Sequence, residues 1–322
     1  MSTLSSKIPV YSPLFWRAYF IQMRPYLLFI SGIAGATGLA MQNDADVNIW
    51  KFLFSFIAFF FGYGFGQALT DCFQTDTDKL SAPYRPLSKG IISIKAVLSV
   101  SITGLLAGAV IFYLCNTLSF LLSGLVVFGL ATYSYVKRHA WFGGPFYNAA
   151  VVALLPVVGF FAVAGYGGWY FPGYLIPNVF VTFFSYASFV LIGYLKDISA
   201  DRETNYKTFP VVWGWNNTMI VGDLFALATL SLFWLPSHTN IYEILIGMVA
   251  TSVLIYGQLY GHLTTNKTEH GALLPILATV RSFVLFHIAI IMHFHFKWLW
   301  LAVVFYFLFE ITLHNRPSKY QV

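Results

Sequence analysis

Charged residues are scarce in this 322-residue chain, which has only 18 Lys and Arg and 12 Asp and Glu, together 9% of the sequence. A soluble domain carries about 25% charged residues, so a soluble fold of this length is excluded. Intrinsic disorder is excluded too, because 58% of the residues are hydrophobic and 19% are aromatic. The two cysteines, Cys72 and Cys115, cannot form a disulfide framework. The composition therefore indicates an integral membrane protein whose outer surface faces lipid.

Ten apolar runs are long enough, or nearly so, to cross a bilayer as helices. They lie at 25–41, 50–69, 91–114, 118–136, 146–166, 175–195, 217–235, 241–262, 272–294 and 297–313. The first and last are short, and the last two could instead be one broken hairpin, which would leave nine spans. The sequence thus predicts an all-α, polytopic bundle of nine or ten transmembrane helices around a central cavity that faces lipid.

The basic residues are distributed unequally between the two sides of this bundle. Thirteen Lys and Arg between Lys7 and Lys267 fall on the side of the N-terminus, against Lys51 and Lys297 on the other. This asymmetry predicts that the N-terminus and the even-numbered loops are cytoplasmic. It also accounts for the net charge of +6 without nucleic acid, so we expect no nucleic-acid partner.

Half of the twelve carboxylates form two groups on the predicted cytoplasmic side. Asp71, Asp76 and Asp78 end the second span, whereas Asp197, Asp201 and Glu203 end the sixth. If the second span continues as a helix, Asp71 and Asp78 share a face with Gln74 between them, and Asp197 and Asp201 also share one. Clustered carboxylates repel one another in an empty protein, and a hard divalent cation relieves that repulsion.

Basic residues follow both groups: Lys79, Arg85 and Lys89 after the first, Arg202 and Lys207 after the second. Acids that hold Mg²⁺ and bases that bind phosphate oxygens together suit a diphosphate ester. The alternative is the mixed charge that helix ends commonly carry near the cytosol, and two such clusters on one side argue against it.

These residues also carry a family resemblance that covers nearly the whole chain. The segment 70–78 (TDCFQTDTD), continued by 83–90 (PYRPLSKG), resembles the first aspartate-rich motif of the UbiA superfamily of intramembrane prenyltransferases, N-D/Q-x-x-D-x-x-x-D with a Pro-x-Arg-Pro tail. The segment 194–202 (YLKDISADR), continued by 207–214 (KTFPVVWG), resembles the second motif. Arg24-Pro25 and Tyr133-Ser134 fit as well. Two positions depart from the pattern, because Thr70 stands where the family usually has Asn and Gln74 where it usually has the middle Asp.

The resemblance implies one transmembrane domain over 1–322, with two pseudo-equivalent halves at about 1–140 and 141–322. It implies that Mg²⁺ binds a polyprenyl diphosphate to both motifs, that the tail lies among the helices, and that an aromatic or lipid-alcohol acceptor attacks the allylic carbon. The implied catalytic residues are Asp71, Asp78, Asp197 and Asp201, and Gln74 joins these four as a metal ligand. The implied substrate-binding residues are Arg24, Thr70, Lys79, Tyr84, Arg85, Lys137, Arg138, Tyr194, Lys196, Arg202 and Lys207.

Two other functions stay open at this stage. A terpene cyclase of the same superfamily would ionise the same diphosphate, and the resulting carbocation would then be attacked intramolecularly. Diphosphate release would therefore need no second substrate. A transporter would place charged residues or broken helices at the bilayer midplane. Because the acids gather at one face of the membrane, the sequence favours an enzyme over a transporter.

Overall fold

The computed structural model describes residues 7–42, 48–164 and 171–316, which form thirteen α-helices and three short 3₁₀ helices. The α-helices are α1 (Pro13–Gln22), α2 (Leu28–Ala40), α3 (Ile49–Asp71), α4 (Thr75–Ser81), α5 (Ile94–Cys115), α6 (Thr117–His139), α7 (Gly143–Val163), α8 (Leu175–Gly193), α9 (Ile198–Glu203), α10 (Phe209–Trp234), α11 (Ile241–Leu263), α12 (Leu273–Phe294) and α13 (Leu299–His314). The 3₁₀ helices are Pro25–Leu27, Tyr194–Asp197 and Phe296–Trp298.

Every predicted span coincides with a helix within the described residues; the last two residues of the span at 146–166 lie outside them. Within the described ranges, nine helical segments are long and apolar enough to cross a membrane, and Pro25–Ala40 is a shorter apolar one. The last two spans are separate helices, α12 and α13. The prediction of an all-α bundle of nine or ten spans is confirmed, whereas its two pseudo-equivalent halves stay a prediction.

One span begins well before its apolar run. The run predicts a start at 217, but α10 begins at Phe209, eight residues earlier. Gly214 lies inside it with φ of 75°, a left-handed conformation that divides the helix at that point. The residues before Gly214 therefore form a separate turn, and the apolar membrane helix follows it.

Burial separates central helices from peripheral ones. In the most apolar 18-residue stretch of each span, the buried share is 83% for α12 and 72% for α7. It is only 22% for α5 and α6 and 11% for the last span. Central α2 and α7 approach closely, since Gly159 faces the backbone of Gly35 and Gly38 faces that of Pro156. A Cβ at these glycines would collide with backbone, so small residues permit this contact.

Ionisable side chains within the spans have partners. The Arg281 guanidinium donates two hydrogen bonds to Glu310, at 2.7 and 2.8 Å, and so joins α12 to α13. Asp223 bonds with His262 at 2.7 Å. Arg281 therefore has a carboxylate partner, as a charge within a membrane span requires.

Both aspartate motifs interrupt their helices at the same end of the bundle. Helix α3 stops at Asp71 and α4 starts at Thr75, so the second span does not continue as one helix, and the condition for Asp71 and Asp78 to share a helix face is not met. Helix α8 passes through the 3₁₀ turn Tyr194–Asp197 into α9. Short α4 and α9 then touch, because the hydroxyls of Thr77 and Thr204 lie 2.8 Å apart. These two interruptions bring the motifs together.

Candidate active site

Asp71, the last residue of α3, is the most extensively bonded acid of the first motif. It is 2% exposed, and its carboxylate accepts hydrogen bonds from the side-chain amides of Gln22 and Gln67 and from the Arg24 guanidinium at 2.9 Å. Gln67 lies one helical turn earlier on α3. Two of these three partners, Gln22 and Arg24, come from the N-terminal segment, so Asp71 links that segment to the site.

Arg85 connects the two acids of the first motif. Its Nη1 lies 2.8 Å from Asp78 and 3.6 Å from Asp71. Burial raises the pKa of Asp78 to about 6, although Arg85 opposes that effect. Burial alone would lower the pKa of Arg85, but Asp78 and Asp71 together raise it. The arginine therefore stays charged, while Asp78 loses its proton much less readily than a solvated carboxylate.

Arg24 has an unusual backbone at the same place. Its φ is 54°, a left-handed conformation that non-glycine residues rarely adopt, and Pro25 follows it. Within the described residues its Nε is buried without a hydrogen-bond partner, although its Nη2 reaches Asp71. Strained backbone tends to occur at functional sites. The unpaired donor indicates an arginine with capacity left for an oxygen-rich ligand.

Gln74 occupies the position where the family pattern has a carboxylate. It lies between α3 and α4, and its Nε2 donates to the Ser134 hydroxyl at 2.8 Å. Ser134 in turn reaches the backbone oxygen of Thr70 at 3.4 Å. The amide nitrogen thus fastens α6 to the first motif, and the amide oxygen is the atom left to face a ligand.

The two acids of the second motif occupy different surroundings. Asp201 is fully buried, with Lys137 at 3.3 Å and the Thr208 hydroxyl at 3.0 Å. Asp197 is partly exposed, and no described residue makes a hydrogen bond to its carboxylate. The two therefore do not present their carboxylates in the same way, although they are four residues apart.

Aromatic rings enclose Lys137 on α6. Its Nζ lies 5.1 Å from the ring centres of both Tyr194 and Tyr206, so two π faces add to the charge of Asp201 in holding it. The Tyr194 hydroxyl bonds with that of Tyr133 at 2.6 Å. Lys137 is thus a positioned cation rather than a flexible surface lysine.

Nine of the predicted residues line one cavity, here called the charged chamber, which holds about 720 Å³ of empty space including its open mouth. The nine are Arg24, Asp71, Gln74, Asp78, Arg85, Lys137, Tyr194, Lys196 and Asp197. The other seven do not line it: Asp201 lies behind Lys137, Thr70 in the wall of the neighbouring cavity and Arg138 beside Asp76 at the surface, while Lys79, Arg202 and Lys207 are exposed and Tyr84 is partly exposed. The roles of all sixteen remain predictions.

A second, mostly apolar cavity adjoins the charged chamber among α3, α5, α6 and α7, with about 840 Å³ of empty space including its open side. Five residues line both, and we call them the junction: Tyr63, Gln67, Tyr133, Asn148 and Tyr186. The hydroxyls of Tyr63 and Tyr186 lie 3.1 Å apart, and the Asn148 amide is 3.4 Å from Tyr186. The polar chamber and the apolar cavity thus adjoin each other, and three tyrosines stand between them.

Sequence reasoning missed some residues of this site. Gln22, Gln67, Tyr63 and Tyr186 carry no family motif that we identified. Gln67 could have been found, because it lies four residues before Asp71 and shares its helix face. Tyr186 could not, because it comes from α8, and only packing shows that it meets α3.

The donor set fits Mg²⁺. The chamber wall offers carboxylate oxygens at Asp71, Asp78 and Asp197 and an amide oxygen at Gln74, and hard cations prefer oxygen ligands. In the described ranges, no three His, Cys, Asp or Glu residues lie close enough to hold an ion by themselves. Mg²⁺ usually takes one or two carboxylates together with substrate phosphates, so a site completed by the substrate agrees with that finding.

Known proteins resemble this chain in sequence. The sequence pattern of the UbiA prenyltransferase family matches residues 28–276. Digeranylgeranylglyceryl phosphate synthase of Thermococcus kodakarensis is 25% identical over 268 residues, 83% of this chain and 95% of that protein. The enzyme of that name from Thermococcus sibiricus is 30% identical over 227 residues, 68% of this chain and 76% of that protein.

Solved structures share the fold. A UbiA homolog from Aeropyrum pernix superposes with a TM-score of 0.67 at 19% identity, covering 81% of this chain and 96% of that one. A UbiA homolog from Archaeoglobus fulgidus bound to DMAPP and Mg²⁺ has a TM-score of 0.62 at 20% identity, covering 85% and 98%. The fold and site define an intramembrane prenyl-transfer enzyme. This chain belongs to the UbiA prenyltransferase family and is an integral, multi-pass membrane protein.

Proposed function

We propose that this enzyme transfers a polyprenyl group from an allylic diphosphate to a lipid-alcohol acceptor and releases diphosphate within the membrane. The observation that carries the proposal is the junction, where a chamber of cations and acids meets an apolar cavity. A prenyl diphosphate has the same two parts, a highly charged head and an apolar tail. The choice of a lipid acceptor rests on the relatives named digeranylgeranylglyceryl phosphate synthase.

The diphosphate head would occupy the charged chamber. Arg24, Arg85 and Lys137 face it as fixed cations, and Lys196 adds a fourth. Arginine suits phosphate oxygens because its planar donors can bind two oxygens at once. In this arrangement Asp71 and Asp201 hold Arg24 and Lys137 in place, so some motif acids act on the substrate through the cations that they position.

Mg²⁺, when held by Asp71, Asp78 and Asp197 with the Gln74 oxygen beside them, would neutralise negative charge on the departing diphosphate. Asp201 is the fifth ligand that the family resemblance implies, and we assign it instead to Lys137, because that pair is buried. The chain's own cations would stabilise the same developing charge.

The allylic carbon would lie at the junction, between the head in the chamber and the tail in the apolar cavity. Tyr63, Tyr133 and Tyr186 line that point, and aromatic rings stabilise positive charge through their π faces. The apolar wall beyond them keeps water away from the reacting carbon. Carbon–oxygen cleavage leaves the electron pair on diphosphate. The acceptor hydroxyl then forms the new carbon–oxygen bond and gives its proton to an oxygen of the released diphosphate.

We further propose that the charged chamber opens on the cytoplasmic side. The support is the excess of Lys and Arg in the loops on that side, thirteen against two. Sealed vesicles of known orientation test this: substrate supplied on the cytoplasmic face should be consumed, and substrate supplied on the opposite face should not. Equal consumption from both faces would contradict the orientation.

The experiment that tests the function is mass spectrometry of the products. The purified enzyme, Mg²⁺ and a set of allylic diphosphates are incubated with glycerol-based lipid alcohols, with aromatic acids, or without acceptor. We expect prenylated lipid alcohol, and no turnover in EDTA. Diphosphate release with a cyclic hydrocarbon and no acceptor would establish a cyclase instead, and prenylated aromatic acid would replace the acceptor class.

A further inference from the structure

The apolar cavity has a measurable depth below the junction. Along α6 its lining extends from Tyr133 to Ser123, and along α7 from Asn148 to Val158, ten residues in each helix. At about 1.5 Å of rise per residue, both helices give a depth of about 15 Å. Along α3 the lining runs from Gln67 of the junction to Phe59, eight residues or about 12 Å, with Tyr63 halfway, so the cavity is about 12 to 15 Å deep.

Two stacked layers close the far end. Phe59 of α3 and Phe112 of α5 line the cavity there, with ring centres 4.8 Å apart, and both are buried. Behind them, the Ser55 hydroxyl and the Cys115 thiol lie 3.5 Å apart in the next layer, also buried. The cavity thus ends at the phenylalanines instead of continuing through the bundle.

Missing side chains keep the cavity wide above this floor. A Cβ added to Gly62 on α3 would meet nothing within 4 Å, and one added to Gly108 on α5 would meet only the Ala58 Cβ at 3.8 Å. Larger residues at either glycine would fit the backbone locally but occupy the cavity. The space therefore depends on both glycines and on the position of the floor.

We propose that Phe112, supported by Phe59, sets the length of prenyl tail that this enzyme accepts, at three to four isoprene units. The proposal rests on the proposed function, because the tail must begin at the junction. Each isoprene unit adds four carbon–carbon bonds of roughly 1.5 Å and advances about 5 Å when extended, so a depth of about 12 to 15 Å takes about two to three extended units, and one more fits when the tail bends. Longer tails meet the phenylalanine floor.

Binding of unreactive analogues tests this without relying on turnover. Allylic thiolodiphosphates with two to six isoprene units are titrated with Mg²⁺ present into wild-type enzyme and two variants. We expect wild type to bind the three- or four-unit analogue best, and the six-unit one roughly tenfold or more weakly. Phe112→Ala should move the optimum up by at least one unit, and Gly62→Leu should move it down.

Phe286→Ala is the matched control. Phe286 is fully buried on α12 against Phe233 and lines neither cavity, so its variant loses the same ring without changing the tail space. The wild-type preference should persist in it. If Phe112→Ala does not fold, Gly62→Leu alone decides. Length-independent binding, or an optimum unmoved in the folded variants, overturns the proposal and leaves the proposed function standing. If no analogue binds at all, the proposed function itself fails.

Discussion

The first aspartate motif keeps its acids together, whereas the second separates them. Asp71 and Asp78 both reach Arg85, so two negative charges share one cation at the chamber wall. Asp201 instead lies fully buried against Lys137, and Asp197 faces the chamber without a hydrogen bond from any described residue. The acids of the two motifs therefore have different roles: three have access to the chamber, and the fourth holds a lysine.

The largest effect should come from an acid of the chamber. Asp78→Asn keeps volume but removes a charge that Mg²⁺ and Arg85 both need, so we expect at least a hundredfold loss of turnover, equivalent to about 2.7 kcal/mol in the barrier. Diphosphate release at saturating substrate measures it. Asp76→Asn is the matched control, because Asp76 lies in the same short helix but faces the surface. Equal activity of the two folded variants would contradict a role for Asp78.

Asp201 should affect stability before chemistry. Asp201→Asn leaves Lys137 buried without its closest carboxylate, and breaking a buried pair in this way costs about 3 kcal/mol of folding free energy. Asp197→Asn should leave the unfolding temperature unchanged and raise the Mg²⁺ requirement. Thermal unfolding in detergent and Mg²⁺ titrations distinguish the two.

A double variant sharpens this contrast. Lys137→Met combined with Asp201→Asn removes both members of the buried pair, so most of the lost stability should return while activity stays low. Recovery of activity in the double variant would show that Lys137 does not contact substrate. Identical behaviour of Asp197→Asn and Asp201→Asn would remove the distinction between the two acids.

Substitution of Gln74 should have a smaller effect, and one in the opposite direction, because it should strengthen Mg²⁺ binding. Gln74→Asp restores the family's carboxylate, and we expect the Mg²⁺ concentration for half-maximal activity to fall by about tenfold, or about 1.4 kcal/mol of binding free energy. Ser134→Ala is the companion variant, because it removes only the hydrogen bond that holds the amide. If both changes alter the Mg²⁺ requirement alike, Gln74 acts through its position and not through a missing charge.

Much of the fold could be predicted from the sequence, and the site only in part. Lipid demands long apolar helices with satisfied backbones, so hydropathy alone located the nine long apolar helices of the described ranges and the shorter one at Pro25–Ala40. The motif residues were found because acids are rare in such a chain. What the sequence did not give was the interruption after Asp71, since residues 72–74 carry no proline or glycine to mark it. The burial of Asp201 behind Lys137 and the meeting of Tyr63 with Tyr186 depend on contacts between distant helices, which periodicity does not encode.

The smallest effect should come from breaking the ion pair of Asp76, the one motif acid that neither lines the chamber nor is buried. Asp76 forms an ion pair with Arg138, and both side chains are about two-fifths exposed. Solvent screens such pairs, whose contribution is typically below about 1 kcal/mol. Arg138→Gln should therefore change the unfolding temperature and the turnover very little, although Arg138 adjoins Lys137 in the sequence and was predicted to bind substrate. Its ring contact with Tyr206, 4.7 Å from the guanidinium carbon to the ring centre, is the remaining interaction that the variant removes.

Lys137→Gln at the neighbouring position is the comparison, and we expect it to abolish most turnover. A large loss with Arg138→Gln would mean that the substrate reaches beyond the charged chamber to the surface of α6, and the boundary between chamber and surface residues would have to move outward.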